Sequence, residues 1–194
     1  ASLTEIPAAN IVGVCTSGLT KTGGFGKIVQ VVSTTKTDTF SQALTASSGG
    51  MISNDVTGLS VSITPTNASN KILLVLSISS SATTSNANLV YIYKSGSVLS
   101  GATGDAANDG NGDALQRAMF AATNSTSSTH HTTGQYLDTA GGTSAITYSV
   151  RLGSVIDGYD VTVYVNRSGD ADEVSSNRRH DRTISTFTAV EIAA

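Results

Sequence analysis

The stretch KILLVLSIS, residues 71–79, decides the fold of this chain. Every residue from Ile72 to Leu76 is apolar, and serines then alternate with an isoleucine. Successive side chains of a β-strand point to opposite faces, so one face of this strand packs on a core while Leu73 and Val75 lie on the other. A two-sheet sandwich buries only one face of each strand, so this second face needs a loop, an arm or another subunit as cover. We predict a subunit interface at Leu73 and Val75.

Alternating apolar and polar residues recur on both sides of this strand. The stretches GLSVSIT, residues 58–64, and VTVYVNR, residues 161–167, place aliphatic side chains at every second position. Further strand-like runs are KIVQVVSTT, LVYIYK, LQRAMFAA, TGQYLDT, ITYSVRLGS and TISTFTAVEIA. The polar connections at residues 79–88 and 100–113 have no period and are expected to be surface loops. About eight to ten short strands separated by glycine- and asparagine-rich turns predict an antiparallel β-sandwich or jelly roll over residues 27–194.

The first 26 residues do not share this pattern. The apolar residues of SLTEIPAANIVG, residues 2–13, fit neither a strand period nor a helix period. We therefore expect an extended N-terminal arm, residues 1–26, ahead of the β-domain.

Composition excludes several classes of function. The formal net charge is −3 and charged residues make up 13% of the chain, which argues against a nucleic-acid footprint of clustered lysine and arginine. No stretch approaches the ~20 apolar residues of a membrane helix, and the N-terminus lacks the basic start and apolar run of a signal peptide. We expect a protein that either stays where it is made or leaves by lysis, and that does not bind a membrane.

Motifs that would indicate catalysis or a cofactor are incomplete. The stretch GGFGK lacks the hydroxyl residue that follows the lysine of a phosphate-binding loop, and no G-x-S-x-G elbow occurs. His130 and His131 are adjacent, so on a strand they point to opposite faces and cannot bind one metal ion together. The sequence therefore predicts no catalytic residue, no cofactor and no metal site, and the chain is not expected to be an enzyme.

Two polar segments each remain open to two interpretations. The stretch DGNGD carries Asp109, Asn111 and Asp113 at alternate positions, as at the start of a calcium loop, but the rest of that motif is missing. It is either a flexible polar loop or a loop that binds a cation or a partner. In NRRHDR, residues 177–182, three arginines surround Asp181. This cluster is either an exposed loop tip with internal ion pairs or a contact for an acidic neighbour.

Several phrases of the sequence resemble one family. GKIVQVVSTTKTDTFS (26–41), VTGLSVSITPTNASNKILLVLSIS (56–79) and the late VTVYVNRSGDADE and STFTAVEIA are similar to a domain of bacteriophage structural proteins, especially tail or head fibres and related appendages. The opening LTEIPAANIVG (3–13) resembles the anchoring segment of phage fibres. The resemblance implies a homotrimeric jelly roll in the virion, released by lysis and attached to other phage structural proteins by its arm. The anchoring residues would be Leu3, Ile6, Pro7, Ile11 and Val12.

The sequence differs from that of a long phage fibre, because no extended shaft precedes the β-domain. A short fibre, a knob or a capsid decoration protein that contacts a host surface glycan fits better. The alternative is a stand-alone carbohydrate-binding module. That alternative is weakened by the absence of tryptophan, since Tyr91, Tyr93 or Tyr159 would have to stack on the sugar.

Overall fold

The computed structural model of this chain describes residues 27–45, 51–83, 88–104, 118–122, 128–154, 160–169 and 181–194. These residues form twelve β-strands and one short 3-10 turn at Ser100–Ala102. The strands are β1 Ile28–Lys36, β2 Phe40–Leu44, β3 Met51–Ile52, β4 Ser60–Ile63, β5 Lys71–Ala82, β6 Asn88–Lys94, β7 Ser97–Val98, β8 Phe120–Ala122, β9 His130–Thr139, β10 Ile146–Ser154, β11 Val161–Val165 and β12 Ser185–Ile192. The predicted all-β class is confirmed. The predicted arm and the loop with Asp109, Asn111 and Asp113 lie outside the described residues.

The strands form two antiparallel sheets that pack face to face. Sheet A places β1, β12, β5 and β9 side by side, and sheet B places β4, β10, β6 and β7 side by side. The pair β2 and β11 extends sheet A, while β3 and β8 extend sheet B. Because the chain passes repeatedly between the sheets and its first described strand pairs with its last, the strand order is that of a jelly roll.

The core lies between the two sheets and follows the period-2 pattern of the sequence. The last strand, β12, alternates strictly between buried and half-buried positions. The predicted inward face of β5 is confirmed, since Ile72, Leu74 and Leu76 are fully buried. Other fully buried core side chains from both sheets are Phe187, Tyr148, Leu152, Ile92 and Ile63. Burying aliphatic and aromatic side chains of this kind contributes roughly 1.5–3 kcal/mol each relative to exposure.

The prediction of a surface loop over residues 79–88 is wrong where the structure describes that stretch. Strand β5 continues to Ala82, and Ser80 and Ser81 are fully buried. The reason is tertiary, because β11 pairs with this end of β5 and covers it. Ser81 Oγ donates to the carbonyl of Arg167 at 2.8 Å, whereas Ser80 Oγ has no hydrogen-bond partner among the described residues.

A polar contact joins the two sheets inside the sandwich. The Tyr148 hydroxyl, on sheet B, donates to Asp138 Oδ2, on sheet A, at 2.7 Å. Lys94 Nζ lies 2.7 Å from the same oxygen. Burial, and then the hydrogen bond to the Asp138 carboxylate, raise the pKa of Tyr148 well above its ordinary range. Asp138 Oδ2 thus accepts from both a neutral phenol and an ammonium group, so this carboxylate oxygen has its hydrogen-bond partners.

Gly153 of β10 leaves room for the ring of Tyr91 on the outer side of sheet B. A Cβ at position 153 would lie 2.8 Å from a Tyr91 ring carbon and 2.9 Å from the Met51 carbonyl oxygen. We therefore expect Gly153→Ala to lower the free energy of unfolding by about 1–3 kcal/mol through overpacking, measured by urea denaturation. Gly142→Ala is the matched control, because no heavy atom lies within 4 Å of the added carbon. Equal stability of the two variants would contradict this explanation.

Candidate functional site

An apolar row crosses the outer face of sheet A at right angles to the strands. The register pairs Val31 of β1 with Val190 of β12, Val190 with Leu73 of β5, and Leu73 with Leu137 of β9. Residues paired in this way point to the same side of a sheet. Their strand neighbours point inward to the core, so these four side chains lie on the surface that the second sheet does not cover.

The row is open to solvent on the described chain. Val31 is 56% exposed and Leu137 is 51% exposed, while Leu73 and Val190 between them are half-buried. Val75, two residues further along β5, is 37% exposed. The predicted interface residues, Leu73 and Val75, therefore share this face, and their contact with another subunit stays a prediction.

The next rows of the same face are rich in hydroxyl groups. Ser33 and Thr188 form a hydrogen bond of 2.8 Å between their side-chain oxygens, and Val75 and Gln135 continue that row. The following row is made of Thr35, Thr186, Ser77 and Thr133. The outer face of sheet A thus changes along the strands from an apolar end to a hydroxyl end.

Charge is nearly absent from this face. Among the outward positions of β1, β12, β5 and β9, the single Lys, Arg, Asp or Glu is Lys71, whose Nζ donates to Thr139 Oγ1 at 2.8 Å. Uncharged surface is easier to remove from water than charged surface, and like charges do not meet when copies of such a face come together. This face is therefore suited to association between copies of the chain.

A buried carboxylate lies on the core side of sheet A, behind the apolar end of its outer face. Glu191, between Val190 and Ile192 of β12, is fully buried. It accepts hydrogen bonds from Asn70 Nδ2 at 2.6 Å, Gln30 Nε2 at 2.6 Å, and the Thr66 backbone N–H and hydroxyl at 2.7 and 2.8 Å.

The same hydrogen bonds determine the ionisation of Glu191. Burial acts to raise the pKa of this carboxyl, but the hydrogen bonds from Asn70, Gln30 and Thr66 outweigh it and lower the pKa to about 2. The ionised side chain ties β12 to β1 and to the connection between β4 and β5. Sequence reasoning missed Glu191, because its position two residues after Ala189, in phase with the inward residues of the strand, is the only signal that the acid points inward.

The opposite end of the face holds a fixed histidine beside an open hollow. The His131 ring lies between two serines of β5, with Nε2 2.9 Å from Ser77 Oγ and Nδ1 2.9 Å from Ser79 Oγ. Residues Ser79, Thr129, His131, Arg182, Thr183 and Ile184 line the hollow, whose volume is about 590 Å³. As predicted, the adjacent histidines occupy opposite faces of β9, and only His131 points outward to these serines.

The tyrosines considered for sugar stacking are not available. Tyr91 is 3% exposed and Tyr93 is 7% exposed, in an apolar cluster on the outer side of sheet B. The Arg151 guanidinium lies 4.0 Å above the Tyr93 ring centroid. Burial, and then the neighbouring Tyr93, raise the pKa of Tyr91 to about 12. Tyr159 lies outside the described residues.

The described part of the chain has neither a cluster of metal ligands nor a membrane-spanning helix. Within it, no three His, Cys, Asp or Glu side chains are grouped so that they could hold a metal ion. Within it also, no helix has the length and apolar character needed to cross a membrane.

Comparison with known proteins identifies no family. No family model matches the chain, and no curated protein matches it. Among solved structures, the chain is similar to one described as "Structure of infectious bursal disease virus Gx strain", with 14% sequence identity and a TM-score of 0.41. The alignment covers 97% of this chain and 45% of that one. The chain therefore spans less than half the length of the structure it matches, and its fold assignment depends on its own strand order.

Proposed function

We propose that this chain is a non-enzymatic structural protein of a bacteriophage particle: a homotrimeric short fibre, knob or decoration protein attached to the virion by its N-terminal arm. The observation that carries the proposal is the nearly uncharged outer face of sheet A with its apolar row. The jelly-roll fold supports it as well, because viral capsid proteins are among the classes that use this fold. So does the resemblance of the sequence phrases to phage appendages.

The apolar row has the composition of an interface core. Leu73 and Val190 lie at its centre, and Val31 and Leu137 lie at its two ends. Burying the exposed part of each side chain would contribute roughly 1 kcal/mol, about half the value for full burial. The surrounding serine and threonine residues form a polar rim of small side chains, which lose little conformational entropy on association.

A ring of three subunits can use both ends of this row. Subunits related by a three-fold axis contact each other through two different surfaces, one for each neighbour. The β1 side carries Val31 and the β9 side carries Leu137, with three strand spacings between them. In the proposed trimer the outer face of sheet A, with Leu73 at its centre, faces the three-fold axis, and the β1 side of one subunit packs against the β9 side of the next.

The arm is proposed to anchor the protein to another virion component. Strand β1 begins at Ile28, at the apolar end of the outer face, and residues 1–26 precede it in the sequence. An extended arm of this length reaches about 80 Å. The side chains of Leu3, Ile6, Ile11 and Val12 could each contribute roughly 1.5–3 kcal/mol if fully buried on a neighbour. Pro7 restricts the backbone and removes one donor that would otherwise need a partner.

Deletion of residues 1–13 tests the anchoring part of the proposal. We expect the shortened protein to fold and to keep the native mass of three chains by light scattering, because the deleted residues precede β1. We also expect it to be missing from purified particles. A deletion variant that co-purifies with particles at the normal copy number would contradict the anchoring role. An unmodified protein with the mass of one chain would contradict the trimer.

The alternative of a stand-alone carbohydrate-binding module has less support. Such modules use exposed flat aromatic rings for much of their contact with sugars, and both Tyr91 and Tyr93 are buried. A glycan contact on this chain would need a different set of residues.

A further inference from the structure

We propose that the hollow beside His131 binds an acidic saccharide. It lies at the hydroxyl end of the outer face of sheet A, between the start of β9 and the segment that leads into β12. Leu73 and Ser79 are six positions apart on β5, about 20 Å along the strand. The hollow is therefore separate from the apolar end, and its function does not depend on trimer formation.

Two side chains offer the hollow a surface for the apolar side of a sugar ring. His131 is exposed, and hydrogen bonds between its two ring nitrogens and the hydroxyl groups of Ser77 and Ser79 hold its ring in one orientation. Ile184 is 55% exposed although it precedes the buried Ser185. A flat ring that is already held in place loses little entropy when a ligand stacks on it.

The hollow also contains hydroxyl groups and a guanidinium. Thr183 Oγ1 is buried and has no hydrogen-bond partner among the described residues. Thr129 and Ser79 add further hydroxyl groups to the wall. Arg182 is exposed, and one of its nitrogens, Nη1, donates to the Asp181 carbonyl at 3.2 Å. A guanidinium has five donors, and its geometry suits a carboxylate.

The local charge balance favours an anionic ligand. Arg182 pairs across an isolated β-bridge with Arg167, whose guanidinium lies 4.9 Å from the Tyr164 ring centroid. The neighbouring acid, Asp181, accepts the Thr129 backbone N–H at 2.9 Å. Among the described residues beside the hollow, two guanidinium groups therefore accompany one carboxylate. Residues 177–180 of NRRHDR lie outside the described residues, and at Asp181 and Arg182 this arrangement develops the interpretation of a contact for an acidic neighbour.

A saccharide fits this hollow better than a protein partner. Stable protein interfaces bury about 800 Å² on each side, whereas six residues line this hollow. A volume of about 590 Å³ lies in the range of small-ligand sites. Its mixture of hydroxyl groups, one aliphatic side chain and one held ring matches the alternating hydroxyl and C–H groups of a sugar.

The test is titration of the full chain with sodium glucuronate and with methyl glucoside as the neutral counterpart, followed by NMR of the His131 ring. We expect glucuronate to shift the His131 signals and methyl glucoside to bind more weakly. Arg182→Gln should weaken glucuronate binding by about tenfold or more, since it removes a hydrogen bond between charged groups. Ile184→Ser, which removes an exposed side chain, should weaken both sugars.

Lys71→Gln is the control, because it removes one positive charge from the same face at the opposite end of β5. We expect this variant to bind glucuronate like the unmodified protein. Loss of binding equal to that of Arg182→Gln would show general charge attraction and overturn the proposal. Equal binding of the two sugars, or binding of an acidic peptide but no saccharide, would also overturn it. Unfolding midpoints equal to that of the unmodified chain show that each variant is folded.

Discussion

Leu73→Asp is expected to convert the proposed trimer into folded monomers. Leu73 lies at the centre of the apolar row, between Val190 and Leu137, so an aspartate there would place one charge from each subunit in the proposed interface. Burying an unpaired carboxylate costs several kcal/mol, which exceeds what the lost leucine contributed. Since the side chain points away from the core, the isolated domain should remain soluble. Light scattering and sedimentation measure the mass directly.

Val98→Asp is the control for this prediction. Val98 is 40% exposed, similar to the 37% of Val75, but it lies on β7 of sheet B. We expect Val98→Asp to leave the mass at three chains and Val75→Asp to reduce it as Leu73→Asp does. Trimers that persist in both Leu73→Asp and Val75→Asp would show that subunits meet elsewhere.

Glu191→Ala is expected to lower the free energy of unfolding by about 2–3 kcal/mol, because it leaves one buried donor and several part-buried donors without an acceptor. The affected donors are those of Asn70, Gln30 and Thr66. Urea denaturation at one fixed protein concentration, followed by circular dichroism, measures the change. Asp55→Ala is the matched control, since Asp55 is an exposed acid paired with Arg151, and exposed ion pairs contribute about 0–1 kcal/mol. Similar losses in the two variants would contradict the role of Glu191.

Glu191 also predicts how stability depends on pH. Its pKa is about 2 in the folded chain, against 4.5 for an ordinary glutamate. A lowered folded-state pKa means that the contribution to stability is complete above about pH 4.5 and is lost as the pH falls towards 2. Glu191→Gln has no carboxyl to titrate there, so its stability should fall less steeply over this range. Parallel curves for the two proteins would show that other groups cause the acid dependence.

Local patterns predicted most of the strands. Strand β10 coincides with ITYSVRLGS, residues 146–154, and KILLVLSIS marks the first nine residues of β5. Alternation also indicated correctly that Ile72, Leu74 and Leu76 of β5 share one face and pack on the core. This was possible because side chains of a strand alternate between its two faces with a period of two. The short strands β2, β3 and β7 were missed, since runs of two to five residues carry too little alternation to stand out.

The sequence by itself determined the all-β class, the inward side of β5 and the presence of unpartnered apolar residues at Leu73 and Val75. Only the tertiary structure decided that Val31, Val190 and Leu137 complete one row with Leu73, and that Ser77 and Ser79 hold His131. It also decided that Glu191 is buried among donors from distant segments. The physical reason is that alternation depends on neighbours along the chain, whereas a row across a sheet depends on strand order and register. In this jelly roll those pairings join residues more than a hundred positions apart.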